Sequence, residues 1–201
     1  MNTDVMIDIE TLDTTPSSVI LSIGACRFDQ YSHDMDDNAF YAVVDIQQQI
    51  DLGRTISADT LRFWMAQPAA AKEVFYSKDV VQLEDALLGL QEWIDPKRDT
   101  RPWSMGAGFD LPILEHAYRS FGHTAPWLFY KACCMRHQKN LPNAKIVYDN
   151  VPRLGTHHNA MDDAIHQARA AQAINEALFP AYFRKESPLP IKKIRKKAVP
   201  A

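Results

Sequence analysis

The chain has 201 residues, 46% of them hydrophobic and 23% charged, the balance of one ordinary globular domain with trimmings. That balance excludes a mostly disordered chain, a collagen-like repeat and a heptad fibre. The net charge of −3 is unevenly spread: Arg184 to Ala201 carries seven basic residues against Glu186, which leaves 15 basic and 24 acidic groups on the body.

From Asp4 to Glu10, Val5, Ile7 and Ile9 alternate with Met6, Asp8 and Glu10. This pattern predicts a half-buried strand whose second face carries two acids. Asp13 to Ser18 is a turn cluster, followed by an apolar run from Val19 to Phe28 and another from Phe40 to Val44. Three strands on short links predict an antiparallel meander. Ser57 caps a helix holding Leu61 and Trp64, and Pro68 breaks it. Asp79 and Gln82 form a capping-box signature ahead of Leu83, Leu87, Leu90 and Ile94. Pro102 to Met105 is a short strand leading through Gly106-Ala107-Gly108 into a helix from Leu111 to Phe121, ended by Gly122. Lys131 to Lys139 reads as one more short helix, and Asn140 to Thr156, with Pro142, Pro152 and Gly155, reads as loop. Met161 to Leu178 is an amphipathic helix along Ile165, Ala168, Ala171, Ile174 and Leu178. The expected architecture is α/β, a mixed sheet of meander plus parallel strands flanked by helices, within one domain over 1–183. Residues 184–201 are expected to be a basic, proline-containing, mobile tail, whose lysines either attract a nucleic-acid backbone or are simply solvated.

Cys26, Cys133 and Cys134 are too few for a disulfide framework, and two adjacent cysteines do not make a zinc spacing. They suit a reducing cytoplasm as thiols packed on apolar surface. No apolar run is long enough to span a membrane, and Met1-Asn2-Thr3-Asp4 lacks the basic start of a secretory signal. An acidic body with a basic tail suits a metal-dependent enzyme better than a simple nucleic-acid groove binder.

Three acidic segments stand out. Asp8 and Glu10 share one strand face with Cα atoms about 6.6 Å apart, close enough to converge on a metal pair. Alone, such a pair also fits a solvated strand face. Asp110 follows a strand and a glycine-rich turn at the entry to a helix, where a carboxylate serves either as cap or as catalyst. His158 and Asp163 straddle a loop-to-helix junction, where the acid also fits a helix-start charge and the histidine a surface residue.

In the order Asp-x-Glu, Phe-Asp, His-x-x-x-x-Asp these residues resemble the DEDDh family of 3′→5′ exonucleases, which have a ribonuclease-H-like fold. The likeness runs from about Val5 to Leu178 and is closest to phage exonuclease A and small bacterial 3′–5′ exoribonuclease-like domains. Ser22-Ile23-Gly24-Ala25, Gly53-Arg54-Thr55-Ile56-Ser57 and His158-Asn159-Ala160-Met161-Asp162-Asp163-Ala164 support it. The family's Gly-Asn before the second motif is replaced by Ser104-Met105.

The resemblance implies two divalent ions, Mg²⁺ or Mn²⁺, held by Asp8, Glu10, Asp110 and Asp163. Asp8 would bridge both, and His158 would be the general base. It implies 5′-mononucleotides released from the 3′ end of single-stranded DNA or RNA, with DNA favoured by the phage-type likeness. It also implies a bacterial or phage-encoded cytoplasmic protein and allows a homodimer. Asp163 is chosen over its neighbour Asp162 because it alone fits the spacing from His158. Thr11, Leu12 and Phe109 are the candidate substrate contacts; Leu12 resembles the family's apolar wedge, and packing is its alternative. Trp64 and Phe109 also read as core, and His157 reads as a surface neighbour. The competing readings are an exoribonuclease, a non-catalytic nucleic-acid-binding module on the same fold, and a hydrolase of small nucleotides.

Overall fold

The computed structural model describes residues 3–95, 99–183 and the backbone of Arg195–Lys197. Strands β1 (Asp4–Thr11), β2 (Ile20–Phe28) and β3 (Asn38–Val44) form the antiparallel meander. Helix α1 (Ile46–Asp51) follows at once, capped by Asp45, whose side chain accepts the Gln48 amide. Ser57 caps α2 (Ala58–Ala66) by accepting the Thr60 amide at 3.1 Å. Pro68 then restarts the chain as a 3₁₀ stretch over Ala69–Tyr76.

The expected capping box is a short strand instead. Val80–Val81 form β4, parallel to the end of β3, so the chain is still extended at Gln82. Gln82 gives no side-chain cap to α3 (Leu83–Ile94), whose first amide donates to Gln48 Oε1 from α1. β5 (Arg101–Ser104) runs parallel to β1 on its other side and leads into α4 (Asp110–Ser120). Lys131 to Lys139 is not one helix: Cys133–Cys134 pair with β5 as β6, and only Met135–Lys139 are helical, as α5. The expected loop from Asn140 contains α6 (Ala144–Asn150), and the long helix is α7 (Ala160–Leu178). Arg195–Lys197 make β7, parallel to the first half of β3. The rest of the anticipated tail lies outside the described residues. The sheet order is β4-β3-β2-β1-β5-β6, with β7 beside β3.

The two faces of the sheet carry separate apolar layers. Val5, Ile7 and Ile9 point to α3 and α4, packing with Leu87, Leu90, Ile94, Leu111 and Leu114. Each such fully buried side chain is worth about 1.5–3 kcal/mol. Met6 points the other way, with Cys26, Trp103 and the apolar residues of α7. Asp8 and Glu10 share the parity of Met6 and so face α7. β1 is therefore buried on both faces rather than half-buried, because α7 lies across the second one.

Two features let α7 lie this low. Gly24, paired with Asp8 in register, has no side chain where a Cβ would come within 2.2 Å of the Ala160 carbonyl carbon. Two polar residues of α7 that enter the core have backbone partners: Gln172 donates to the Asp29 and Asp34 carbonyls, and Asn175 to that of Gln30. These bonds offset the desolvation of the buried amides.

Candidate active site

Five side chains from four segments of the chain meet at one cleft. Asp8 and Glu10 come from β1, Asp110 from the first residue of α4, Asp163 from the first turn of α7, and His158 from the loop before it. Phe109 joins them in the lining. The ligand oxygens of Asp8, Glu10 and Asp163 all lie within 4.8 Å of one another. Asp110 reaches the group from the opposite side of the sheet, its Oδ1 accepting the Ile9 amide at 3.2 Å. That bond fixes α4 to β1 between the two acids of the first motif.

Burial and mutual repulsion make these carboxyls resist ionisation. Glu10 is pushed up to about 8, first by burial and then by Asp163 and Asp110. Burial raises Asp110 to about 6 against the opposing pull of the Ile9 amide. Asp8 is raised well above the usual carboxylate range by burial, then by Asp110, Glu10 and Asp163. A set of closely spaced oxygen donors whose charges oppose one another fits hard divalent cations.

Asp8 is steadied by Gln167, one helical turn beyond Asp163 on α7, whose Nε2 donates to Asp8 Oδ1 at 2.7 Å. His158 has a left-handed backbone, φ 63°, and its amide donates to Asp163 Oδ2 at 2.8 Å. Its Nδ1 lies 3.8 Å from Glu10 Oε1. The ring meets Phe63 edge-on at 5.1 Å and overlies His157 at 3.9 Å. Burial, and next the neighbouring His157, hold the imidazole below its ordinary pKa. It is thus kept neutral, with a lone pair for a proton.

Asp162 faces away from this group. Its Oδ2 accepts the Thr156 amide at 2.8 Å, and its carboxylate fills the space beside Gly155 that a Cβ would need. Asp163, in contrast, lines the cleft. Thr11 and Leu12 are not among the described residues that line it. The Thr11 carbonyl accepts Trp64 Nε1 at 2.8 Å, and Leu12 is buried with Val19, Leu21 and Trp64. Trp64 is core, as its reading anticipates. His157 is exposed beside His158, the surface neighbour its reading anticipates, and it also borders the cleft. Sequence reasoning missed Arg136, Tyr148, Arg153 and Gln167, which line it too. Of these, Gln167 alone had a local signal, its four-residue spacing from Asp163 on a helix.

A mixed sheet of this order, with four carboxylates and a histidine gathered where β1, the turn after β5 and the start of α7 meet, is that of a ribonuclease-H-like exonuclease of the DEDDh type. The family model described as "3′-5′ exoribonuclease Rv2179c-like domain" matches residues 3–175, and the chain belongs to that family of 3′→5′ exonucleases, which are phosphodiester hydrolases.

Solved structures share the fold at low identity. E. coli exonuclease I in complex with a dT13 oligonucleotide aligns with TM-score 0.60 and 12% identity over 91% of this chain. The chain spans 42% of that protein's length. Cell-death related nuclease 4 aligns with TM-score 0.59 and 12% identity, covering 89% of this chain and 67% of its own. The nuclease domain of 3′hExo, a DEDDh family member bound to rAMP, aligns with TM-score 0.57 and 13% identity over 90% of this chain and 94% of its own. No curated protein sequence matches the chain.

Proposed function

We propose that this protein is a metal-dependent 3′→5′ exonuclease that removes 5′-mononucleotides from the free 3′ end of a single strand. The observation that carries the reading is the convergence of Asp8, Glu10 and Asp163 within 4.8 Å, with Asp110 and His158 on the same cleft. Asp8, Glu10, Asp110 and Asp163 would hold two divalent ions, Mg²⁺ or Mn²⁺ by their all-oxygen chemistry. Such a pair, when bound, activates a water and stabilises the leaving 3′-oxygen.

The protein's own groups do the rest. His158, neutral and steadied by Asp163 and Phe63, accepts the proton of the attacking water. Gln167 fixes the carboxylate of Asp8. Phe109, partly buried in the cleft lining, offers an apolar surface to the terminal base. All five chemical residues come from one chain, so a homodimer, if it forms, is not needed to complete the site. The three cysteines are free, which suits a reducing cytoplasm.

Between the two polymers, the family description favours RNA, whereas the phage-type likeness favoured DNA. Discrimination rests on whether the terminal 2′-hydroxyl is accepted. The deciding experiment uses matched single-stranded DNA and RNA, each labelled at the 5′ end, with Mg²⁺, Mn²⁺ or EDTA, resolved to single nucleotides. A ladder shortening from the 3′ end that EDTA abolishes supports the reading. Rapid cutting of a closed circular single strand would show an endonuclease and end it.

A further inference from the structure

Arg153 stands in the loop between α6 and α7, five residues before His158. Its Nη1 is ion-paired to Asp163 Oδ1, while the other oxygen of that carboxylate accepts the His158 amide. A guanidinium thus sits on one of the carboxylates assigned above to metal. A divalent cation on Asp163 and Arg153 on the same carboxylate repel each other, and the side chain is the partner able to move.

The loop is built for such an exchange at one end. Thr156 is pinned by Asp162 and His158 by Asp163, both through main-chain amides. Arg153 is tied by its side chain, which is about a third exposed and lines the cleft. The cleft must also receive a phosphodiester, an anion approaching four carboxylates. A planar fork of N–H donors matches phosphate oxygens in pairs.

We propose that Arg153 is a substrate-binding residue that leaves Asp163 when cations occupy the acidic cluster and takes the non-bridging oxygens of the 3′-terminal phosphodiester. The inference rests on the exonuclease reading given above. Departure of the product lets Arg153 return to Asp163, so the same residue competes with metal in the resting protein and binds anion in the working one.

The test combines metal binding with kinetics. Mn²⁺ alone is titrated calorimetrically into the wild type, Arg153→Met and Arg153→Lys, and each is assayed on a labelled single-stranded oligonucleotide over a range of concentrations. Arg153→Met is expected to bind Mn²⁺ more tightly than the wild type, and its KM for the oligonucleotide to rise about tenfold, the loss of one charge-assisted pair. Arg153→Lys recovers part of the KM. If Arg153→Met melts early in EDTA, Arg153→Lys carries the test, its KM lying above that of the wild type because a point charge does not replace the fork. Unchanged or weaker Mn²⁺ binding in a folded Arg153→Met, or a wild-type KM in the folded variants, means that Arg153 only braces the loop, and the inference fails. A wild type that neither binds Mn²⁺ nor shortens the strand instead removes the exonuclease reading itself.

Discussion

The amide of His158 donates to Asp163 Oδ2 at 2.8 Å, across five residues that span the start of α7. The loop residue therefore takes its position from the helix acid. The left-handed backbone at His158 costs about 1–2 kcal/mol for a non-glycine residue, and the amide bond to a carboxylate offsets it. The ring is thereby turned back over Glu10, although residues five apart on a helix would face different ways.

Replacing His158 by Ala should lower kcat by roughly 10²–10⁴, the range for losing a general base, while Mn²⁺ affinity stays near that of the wild type. Single-turnover kinetics and calorimetry on one preparation separate the two effects. A variant that loses metal affinity as severely as rate makes His158 a ligand rather than a base.

Metal-free protein should lose stability as pH rises. Glu10 goes from an ordinary 4.5 to about 8 in the fold, and Asp110 from 3.8 to about 6. The folded form therefore binds these protons more tightly than the unfolded form. Their stabilising contribution is fully present below about pH 4, and it is lost progressively as pH rises through 6 and then 8. Melting temperatures in EDTA should fall over this window, and added Mn²⁺ should flatten the fall because it binds the ionised set. A flat or rising profile in EDTA would contradict the crowding of these carboxyls.

Asp162 and Asp163 should separate cleanly. Asp163→Asn removes a charge from the acidic cluster and should weaken Mn²⁺ binding along with the rate. Asp162→Ala removes the acceptor for the Thr156 amide and loosens the loop that carries His158. It should cost about 1–3 kcal/mol of stability, the usual penalty for a lost partly buried acceptor, and lower kcat with little effect on metal affinity. Calorimetric titrations of both variants decide this. If Asp162→Ala is the variant that loses metal, the third motif is misread by one residue.

Much of this was legible in the sequence. Strict alternation in β1 and long apolar runs in β2 and β3 left little choice, and Ser57 marked α2 by cap chemistry alone. What stayed hidden was short or set by distant partners. Val80–Val81 and Cys133–Cys134 are two-residue strands, too brief for alternation to register, and they exist because β3 and β5 offer them free edges. Helix α6 is preceded by Asn143, which has φ 65° and gives no side-chain cap, so no local signal announced it. In the site, the acids and His158 were carried by spacing. Arg153 and Tyr148 were not, because their relation to Asp163 and Asp8 depends on how the loop and α6 fold over the sheet. Leu12, legible only as apolar, went to the core beneath α2.

Gly24 gives the sharpest test of how the sheet positions the chemistry. It pairs with Asp8 in register, and the first turn of α7 rests directly on it. A Cβ there would lie 2.2 Å from both the Ala160 carbonyl carbon and the Met161 nitrogen, which are main-chain atoms that cannot turn aside. Gly24→Ala must therefore lift the start of α7, and Asp163 with it, away from Asp8 and Glu10. Overpacking of this kind typically costs about 1–3 kcal/mol, so the variant should melt lower yet fold. A displacement near 1 Å can cost about 10² in rate, so activity should fall far more than stability does. Gly108→Ala is the control for the fold, since a Cβ there meets nothing within 4 Å, and its melting temperature should match that of the wild type. A Gly24→Ala protein with the wild-type melting temperature and rate would show that α7 is not seated on β2 as described. Loss of rate and of Mn²⁺ affinity together, in a folded protein, would show that this contact is what brings the third carboxylate to the other two.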